Sequence, residues 1–263
     1  MDRLSIITDD GGLFVHSDLF DEDERDIVAR ELLEQYPGGD LWTVPLPLGL
    51  LGPELVVMDV DSTFINEEVI EKLAAHAGRE AEVRAVTERA MAGELDFAES
   101  LIHRVEQLNG VPASALDEVA ESVTLTPGVE KLVANLHNAE CHIALVSGGF
   151  TAIVEQIAGP LGIDDVTANG LEIVDGVLTG RVSGPIVDRQ TKARRLLEIV
   201  EDEGLDIART VAIGDGANDI DMIETAGFGI AFCAKPALVE HADAQLRTRR
   251  LDAVYPGLTG MNI

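Results

Sequence analysis

Val56-Val57-Met58-Asp59-Val60-Asp61-Ser62-Thr63 runs three apolar residues into two carboxylates spaced i, i+2 and then into two hydroxyls. A short, wholly apolar run before a polar turn reads as a strand buried on both faces, the kind found in parallel α/β sheets. Acids at the carboxyl edge of such a strand stand where open α/β sheets bind ligands. An aspartate there can attack phosphorus, and a second one two residues on can exchange the proton. A lone Asp at a strand end is more often a turn or helix cap, so the run takes its meaning from the residues downstream.

Outward from this run, the strand over 54–60 gives way to four helical stretches, 66–77, 80–92, 96–109 and 113–122, parted by Gly78, Gly93, and Gly110 with Pro112. A helical block directly after a first strand predicts a cap inserted into an α/β domain. The alternation then resumes with helix 127–139, strand 141–146, helix 150–158 and a hairpin about Asp175-Gly176 within 171–179. Helix 191–203, strand 210–214, helix 218–225 and a last strand near 228–232 complete it. Residues 1–50 predict a small α+β appendage: a hairpin of 4–7 with 13–15 around Asp9-Asp10-Gly11-Gly12, then a helix over 21–36 stopped by Pro37-Gly38-Gly39. It is too short for much of a core, so it packs on the main body, supports a homodimer or is partly mobile. The expected fold class is α/β, with a Rossmann-like parallel-sheet core over 51–65 and 123–263, a helical cap over 66–122 and the appendage over 1–50.

The 263 residues can bury a sizeable interior. Against 19 basic side chains stand 48 acidic ones, and the net charge of −29 excludes nucleic acid and anionic membranes as partners of the surface as a whole. An anionic substrate would need local positive potential, from a divalent cation and a few placed bases. There are only four lysines (Lys72, Lys131, Lys192, Lys235), so a lysine inside a motif carries weight. No apolar stretch is long enough to cross a membrane, and Met1-Asp2-Arg3 opens onto acids, so a cytoplasmic location is expected. Cys141 and Cys233 lie far apart without metal-ligand spacing and read as two small buried hydrophobes.

Phosphoryl transfer needs an in-line nucleophile, a proton donor for the leaving oxygen and positive groups around the equatorial oxygens. Asp59 fits the nucleophile and Asp61 the general acid and base. Leu145-Val146-Ser147-Gly148-Gly149-Phe150 places a hydroxyl and glycine amides at a strand end, an anion site; the G-x-S-x-G elbow of a serine nucleophile is missing. Lys192, inside the helix start at Asp188-Arg189-Gln190-Thr191, can bridge nucleophile and phosphate, with Arg189, Arg194 and Arg195 as competitors. Ala212-Ile213-Gly214-Asp215-Gly216-Ala217-Asn218-Asp219 brings hard oxygen ligands suited to Mg2+, with Asp215 the better direct ligand and Asp219 orienting water or Lys192.

These pieces resemble the haloacid dehalogenase superfamily, and within it the phosphoserine phosphatase family. The resemblance rests on Asp59 to Thr63, Asn66 to Glu68, Ala90 to Phe97, Ser100-Leu101 with Arg104-Val105, Ser147 to Phe150, Asp215 to Asp219, and Ala231 to Pro236, and spans about 54–252. It implies Mg2+-dependent hydrolysis of a small phosphorylated amino acid, O-phospho-L-serine, through an aspartyl phosphate on Asp59, the last step of the phosphorylated pathway of serine biosynthesis. It further implies that Asp59, Asp215 and the backbone carbonyl of Asp61 hold the metal, while Ser147, Gly148 and Lys192 hold the phosphoryl group. In the cap, Glu68 meets the substrate ammonium and Arg104 its carboxylate, Met91 and Phe97 close over it, and Asn218 faces it from the core. The residues independently allow this, because a zwitterion needs one anionic and one cationic partner; by themselves Glu68 and Arg104 also read as exposed helix charges, and Met91 and Phe97 as cap core. A phosphatase for phosphohomoserine or phosphothreonine, or a non-catalytic phosphoamino-acid sensor, are the alternatives. Members of the family often carry an N-terminal regulatory domain; residues 1–50 are too short for a complete one, so feedback regulation is not carried over.

Overall fold

The computed structural model describes residues 2–8, 13–91 and 94–261, without the side chains of 13–20, 22–23 and 91. The appendage contributes β1 (Asp2–Ile7), β2 (Leu13–Phe20), α1 (Glu22–Gln35), β3 (Asp40–Pro45) and α2 (Leu48–Leu51). Then comes β4 (Leu55–Met58), followed by α3 (Val69–His76), α4 (Glu80–Met91), α5 (Phe97–Glu106) and α6 (Ser114–Ser122). The alternating part is α7 (Val129–Asn138), β5 (His142–Phe150), α8 (Thr151–Ala158), β6 (Asp165–Val174), β7 (Val177–Ser183), α9 (Arg189–Glu203), β8 (Thr210–Gly214), α10 (Ile220–Thr225) and β9 (Phe228–Phe232). The chain closes with α11 (Pro236–Val239), β10 (Ala244–Leu246) and α12 (Val254–Thr259).

β4 lies at the centre of a seven-stranded sheet of order β10-β9-β8-β4-β5-β6-β7, parallel except for the hairpin strand β7. Its alternate residues feed two cores. Val56 and Met58 pack with Val129, Leu132 and Leu136 of α7, whereas Leu55 and Val57 pack with Leu196, Ile199 and Ile223 of α9 and α10. Helices on both faces are why the run is apolar throughout rather than alternating. From β4 the chain crosses to β5 on one side and later returns to β8 on the other. A crevice therefore opens at the carboxyl ends of these three strands, the topological switch point where α/β sheets bind ligands.

The predicted elements recur in the structure, with differences at their ends and in the short elements. β5 runs on through Phe150, so the serine–glycine turn ends a strand and α8 begins only at Thr151. β3, β10 and α12 were not read from the sequence; β10 is three residues long, and Pro45 and Pro256 fall within β3 and α12. The hairpin of β1 with β2 is present, and its expected turn at 9–12 lies outside the described residues.

The appendage sheet, β2-β1-β3, packs on the main body. Ile7, Trp42, Val44 and Leu48 belong to the same apolar cluster as Val254, Tyr255 and Leu258 of α12. A Cβ on Gly257 would come within 2.7 Å of Trp42 Cζ3, so glycine permits this close approach. Trp42 is fully buried, with its ring 6.1 Å from that of Phe228. The appendage also covers an open sheet edge: Trp42 Nε1 donates to Gln245 O (2.6 Å), and Arg247 N donates to Asp40 Oδ2 (2.7 Å). Two side chains thus satisfy the outward backbone groups of β10 and its flank, which a bare edge strand leaves open to aggregation. Of the three roles the sequence allowed, packing on the body is the observed one. No helix among the described residues is long and apolar enough to cross a membrane.

Trp42 is the chain's one tryptophan, so its fluorescence reports on this joint. Urea unfolding followed by fluorescence and by far-ultraviolet circular dichroism is expected to coincide, and Trp42→Ala to cost about 3–5 kcal/mol. An earlier fluorescence transition would mean that the appendage detaches alone.

Candidate active site

Asp59 directly follows β4, and its N–H donates to Ile213 O of β8 (2.9 Å), which locks it to the sheet's end. The chain then turns sharply, with Ser62 in the left-handed region (φ 59°). That turn swings Asp61 back over the site. Its Oδ1 accepts from Val69 N, the first residue of α3 (2.8 Å), and its Oδ2 lies 3.4 Å from Ser147 Oγ. At the end of β5, Gly149 N donates to Ser147 Oγ (2.8 Å). A Cβ on Gly149 would come within 2.7 Å of Asp61 Oδ2. From β8 the chain enters a short 3-10 turn, 217–219, whose Asp219 Oδ2 accepts from the amides of Asp215 and Gly216 at 3.1 Å each.

Lys192, fully buried in the first turn of α9, ties these pieces together. Its Nζ lies 2.7 Å from Asp59 Oδ1 and 2.7 Å from Asp219 Oδ1. The competing arginines are engaged elsewhere: Arg189 pairs with Asp221, Arg195 with Asp165, and Arg194 with Glu198. Burial opposes the lysine's charge, but Asp219 and Asp59 outweigh it and hold Lys192 above the ordinary lysine range. Burial, then the charge of Asp219, pushes Asp59 up to about 8. Burial likewise raises Asp61 to about 7 and, with Asp61 beside it, Glu68 to about 8.

Asp59, Asp215 and Asp219 each offer a carboxylate oxygen, all within 4.8 Å of one another. Asp59 Oδ2 and Asp215 Oδ1 are buried without a hydrogen-bond partner. Four aspartates face two lysines here, Lys192 and Lys235, the latter 3.0 Å from Asp215 Oδ2. Two orphaned oxygens and an uncompensated double negative charge fit a hard divalent cation. Asp59 and Asp215 are the two expected carboxylates of this set, and Asp61 was expected to reach a metal through its backbone carbonyl rather than its side chain. The side chain of Asp61 is spent on Val69 and Ser147, leaving its backbone carbonyl for a metal, and Asp219 joins the cluster while committed to Lys192 and two amides.

Over this floor the cap closes a cavity lined by Asp59, Asp61, Glu68, Phe97, Arg104, Gly148 and Asn218, together with Ile70, Leu101 and Gly149. Its free space is about 20 Å3, room for about one water. A wider cleft of about 600 Å3 lies on the far side of Phe97 and Asn218. Arg104, 4% exposed, donates to Thr87 Oγ1 (3.0 Å) and Ser100 O (3.2 Å) and, among the described residues, pairs with no carboxylate. Glu68 Oε1 accepts from Ser62 Oγ (2.8 Å). Phe97 lies across Gly148, where a Cβ would come within 2.7 Å of the ring. The side chain of Met91 lies outside the described residues.

Every other expected site residue is thus brought to one place. Two residues there had no role assigned from sequence: Lys235, although it stood out as one of four lysines inside a quoted motif, and Thr87, a buried hydroxyl on a mixed helix that carries no sequence signal. Cys141 is buried as expected, but Cys233 is only half-buried, because it turns out of the sheet with φ 45°.

This is the fold and acid-lined switch point of a hydrolase, and comparison supplies the family. The chain belongs to the haloacid dehalogenase-like hydrolase family, whose model matches residues 56–224. Within it the similarity is to phosphoserine phosphatases. The chain is 54% identical over 200 residues to phosphoserine phosphatase SerB2 of Mycobacterium tuberculosis, covering 76% of this chain and 49% of that one. It is 48% identical to phosphoserine phosphatase of Streptococcus thermophilus, covering 73% of this chain and 89% of that one. It therefore spans about half the length of the first and most of the second. A solved phospho-aspartyl intermediate analogue of phosphoserine phosphatase superposes with a TM-score of 0.75 at 42% identity, over 77% of this chain and 97% of that one.

Because Asp59, Asp61 and Glu68 are raised in the fold above their unfolded values of about 4, the stability they favour is full at low pH and is lost as pH rises through about 7 to 8. Metal-free protein is therefore expected to lose stability from about pH 4 up to about pH 8, by about 1.4 kcal/mol per pH unit for each carboxyl still protonated in the fold, and to level off above that. In thermal denaturation Asp59→Asn flattens that slope, and Mg2+ raises Tm more at pH 8 than at pH 6; a pH-independent Tm without metal counts against the raised carboxyls.

Proposed function

We propose that the chain hydrolyses O-phospho-L-serine to L-serine and phosphate through an aspartyl phosphate, closing the phosphorylated route to serine. The observation that carries this reading is the shared cavity: Asp59, held by Lys192, lines the same space of about 20 Å3 as Glu68 and Arg104. A phosphomonoester with an ammonium and a carboxylate is complementary to these groups.

Asp59 Oδ2, the unpartnered oxygen, is the nucleophile, while Lys192 holds Oδ1 and fixes the rotamer. Asp61, whose carboxyl stands beside Ser147 Oγ at 3.4 Å and is held by Val69 N, donates a proton to the departing serine oxygen. As a carboxylate it then takes a proton from the water that attacks phosphorus, which releases phosphate and restores Asp59. Ser147 Oγ, the Gly148 amide and Lys192 hold the phosphoryl oxygens. Mg2+ would be held by Asp59, Asp215 and the Asp61 carbonyl, with Asp219 bracing Lys192, and supplies positive charge against the transferring group. Glu68 accepts from the substrate ammonium, and the guanidinium of Arg104 pairs its carboxylate in a bidentate fork. A cavity this small means that the cap opens to admit substrate and closes to exclude water.

Asp59→Asn is expected to abolish phosphate release without lowering the metal-free Tm, and Asp61→Asn to reduce kcat by about 10²–10⁴-fold. Arg104→Ala should cut kcat/KM for phosphoserine by roughly 10–100-fold, the worth of a charged hydrogen bond, while sparing p-nitrophenyl phosphate. Equal losses on both substrates would remove Arg104 from carboxylate recognition, and no phosphate release from phosphoserine with Mg2+ present would overturn the reading.

A further inference from the structure

The chain crosses between the central sheet and the helices α3–α6 at two points, Ile65-Asn66 outward and Thr124-Leu125 on return, and these pair in an isolated antiparallel bridge. Asn66 Nδ2 donates to Thr124 Oγ1 (2.9 Å) and Leu125 O (3.0 Å), and the Glu67 carboxylate accepts from Thr124 N and Thr124 Oγ1 at 2.9 Å each. The joint is gripped from outside by one residue far away in sequence. Arg249 Nε donates to Asn66 Oδ1 (2.9 Å) and Nη2 to Ser62 O (3.1 Å), while its guanidinium lies 5.6 Å from the ring centroid of Phe232 at the end of β9.

The carbonyl it holds belongs to Ser62, the left-handed residue in the turn after Asp59. A non-glycine residue there is strained by about 1–2 kcal/mol, and its neighbours must over-determine the conformation for it to persist. Arg249 supplies that constraint from the carbonyl side and Glu67 O from the amide side, where Ser62 N donates at 3.2 Å. The same turn aims Ser62 Oγ at Glu68 Oε1 (2.8 Å).

We infer that Arg249 is the positioning residue of the cap joint: by holding the Ser62 turn and Asn66 together it sets where Glu68 stands in the cavity, and so governs recognition of the substrate's ammonium. The substrate half of this inference rests on the proposed phosphoserine reading; the structural half does not. A stacked, planar fork with two donors in fixed directions suits the task, and a lysine cannot reproduce it. Arg249 touches no reacting group, so the chemistry of Asp59 proceeds without it.

The test combines kinetics with amide hydrogen exchange on the full chain. Arg249→Ala is expected to raise KM for phosphoserine at least tenfold and to leave kcat/KM for p-nitrophenyl phosphate, which has no ammonium, within about threefold. Arg249→Lys should recover less than half of the loss. Ser62→Ala should show the same selectivity, and the double variant should be no worse than either single one, since both act on one turn. Exchange of the Ser62 and Val69 amides should quicken at least tenfold in Arg249→Ala, with β5 unchanged. Equal losses on both substrates, additive effects, or unchanged exchange at Ser62 and Val69 would overturn the inference. Faster exchange in a protein whose wild type does not turn over phosphoserine would keep the clamp and discard the substrate reading. If Arg249→Ala does not fold, Asn66→Ala severs the same grip at its other end and is read in the same way.

Discussion

A fully buried ammonium shared between two buried carboxylates is the interaction on which the rest of this site depends. Lys192 cannot be left unpaired in the interior, and neither can Asp59 or Asp219. The three come from different elements: the end of β4, the first turn of α9 and the turn after β8. Satisfying the charges therefore fixes how those elements meet. Once they meet, Asp59 keeps one oxygen tied and one free, and Asp215 is turned the same way by Lys235. Buried negative charge at the switch point is stable only with a cation or with protons, so burial first, and neighbouring carboxylates after it, raise these carboxyls. The site is preorganised for a charged ligand and strained without one.

Chemistry and recognition divide between layers. Asp59, Ser147, Lys192 and Asp215 stand on strand ends and a helix start, where packing on both faces of the sheet holds them rigid. Glu68, Phe97 and Arg104 stand on the helices inserted between β4 and β5, and reach the cavity only because the cap is closed. Asp61 belongs to both, since it stands two residues after Asp59 in sequence but is oriented by the first amide of α3. The acids at the strand end are thus tied directly to the first helix of the cap.

Among the described residues, the appendage adds none to the cavity. Its contribution is to the sheet: Asp40 and Trp42 occupy the exposed flank of β10, and its apolar face merges with the core under α12. A chain of net charge −29 gains little cohesion from its surface, so continuity of apolar burial across this joint matters more than ion pairs there.

Much of this was legible in the residues themselves. The apolar run into Asp59 and Asp61 identified a central buried strand with acids at its carboxyl edge, because only a strand covered on both faces is apolar at every position. Ser147, Lys192 and Asp215 could be named in advance because hydroxyl-glycine turns, a scarce lysine at a helix start and clustered acids are local patterns with chemical meaning. What the sequence did not contain was partnership. Nothing local shows that Lys235 pairs with Asp215, that Thr87 holds Arg104, or that Arg249 grips a turn nearly 190 residues earlier. Short elements such as β3 and β10 were equally hidden, since a few residues carry no periodicity and their place is decided by the edge they cover. The kind of chemistry follows from residue type and spacing along the chain. The partners, the protonation and the closed cavity arise only when folding brings distant charges out of water, where each must find a mate.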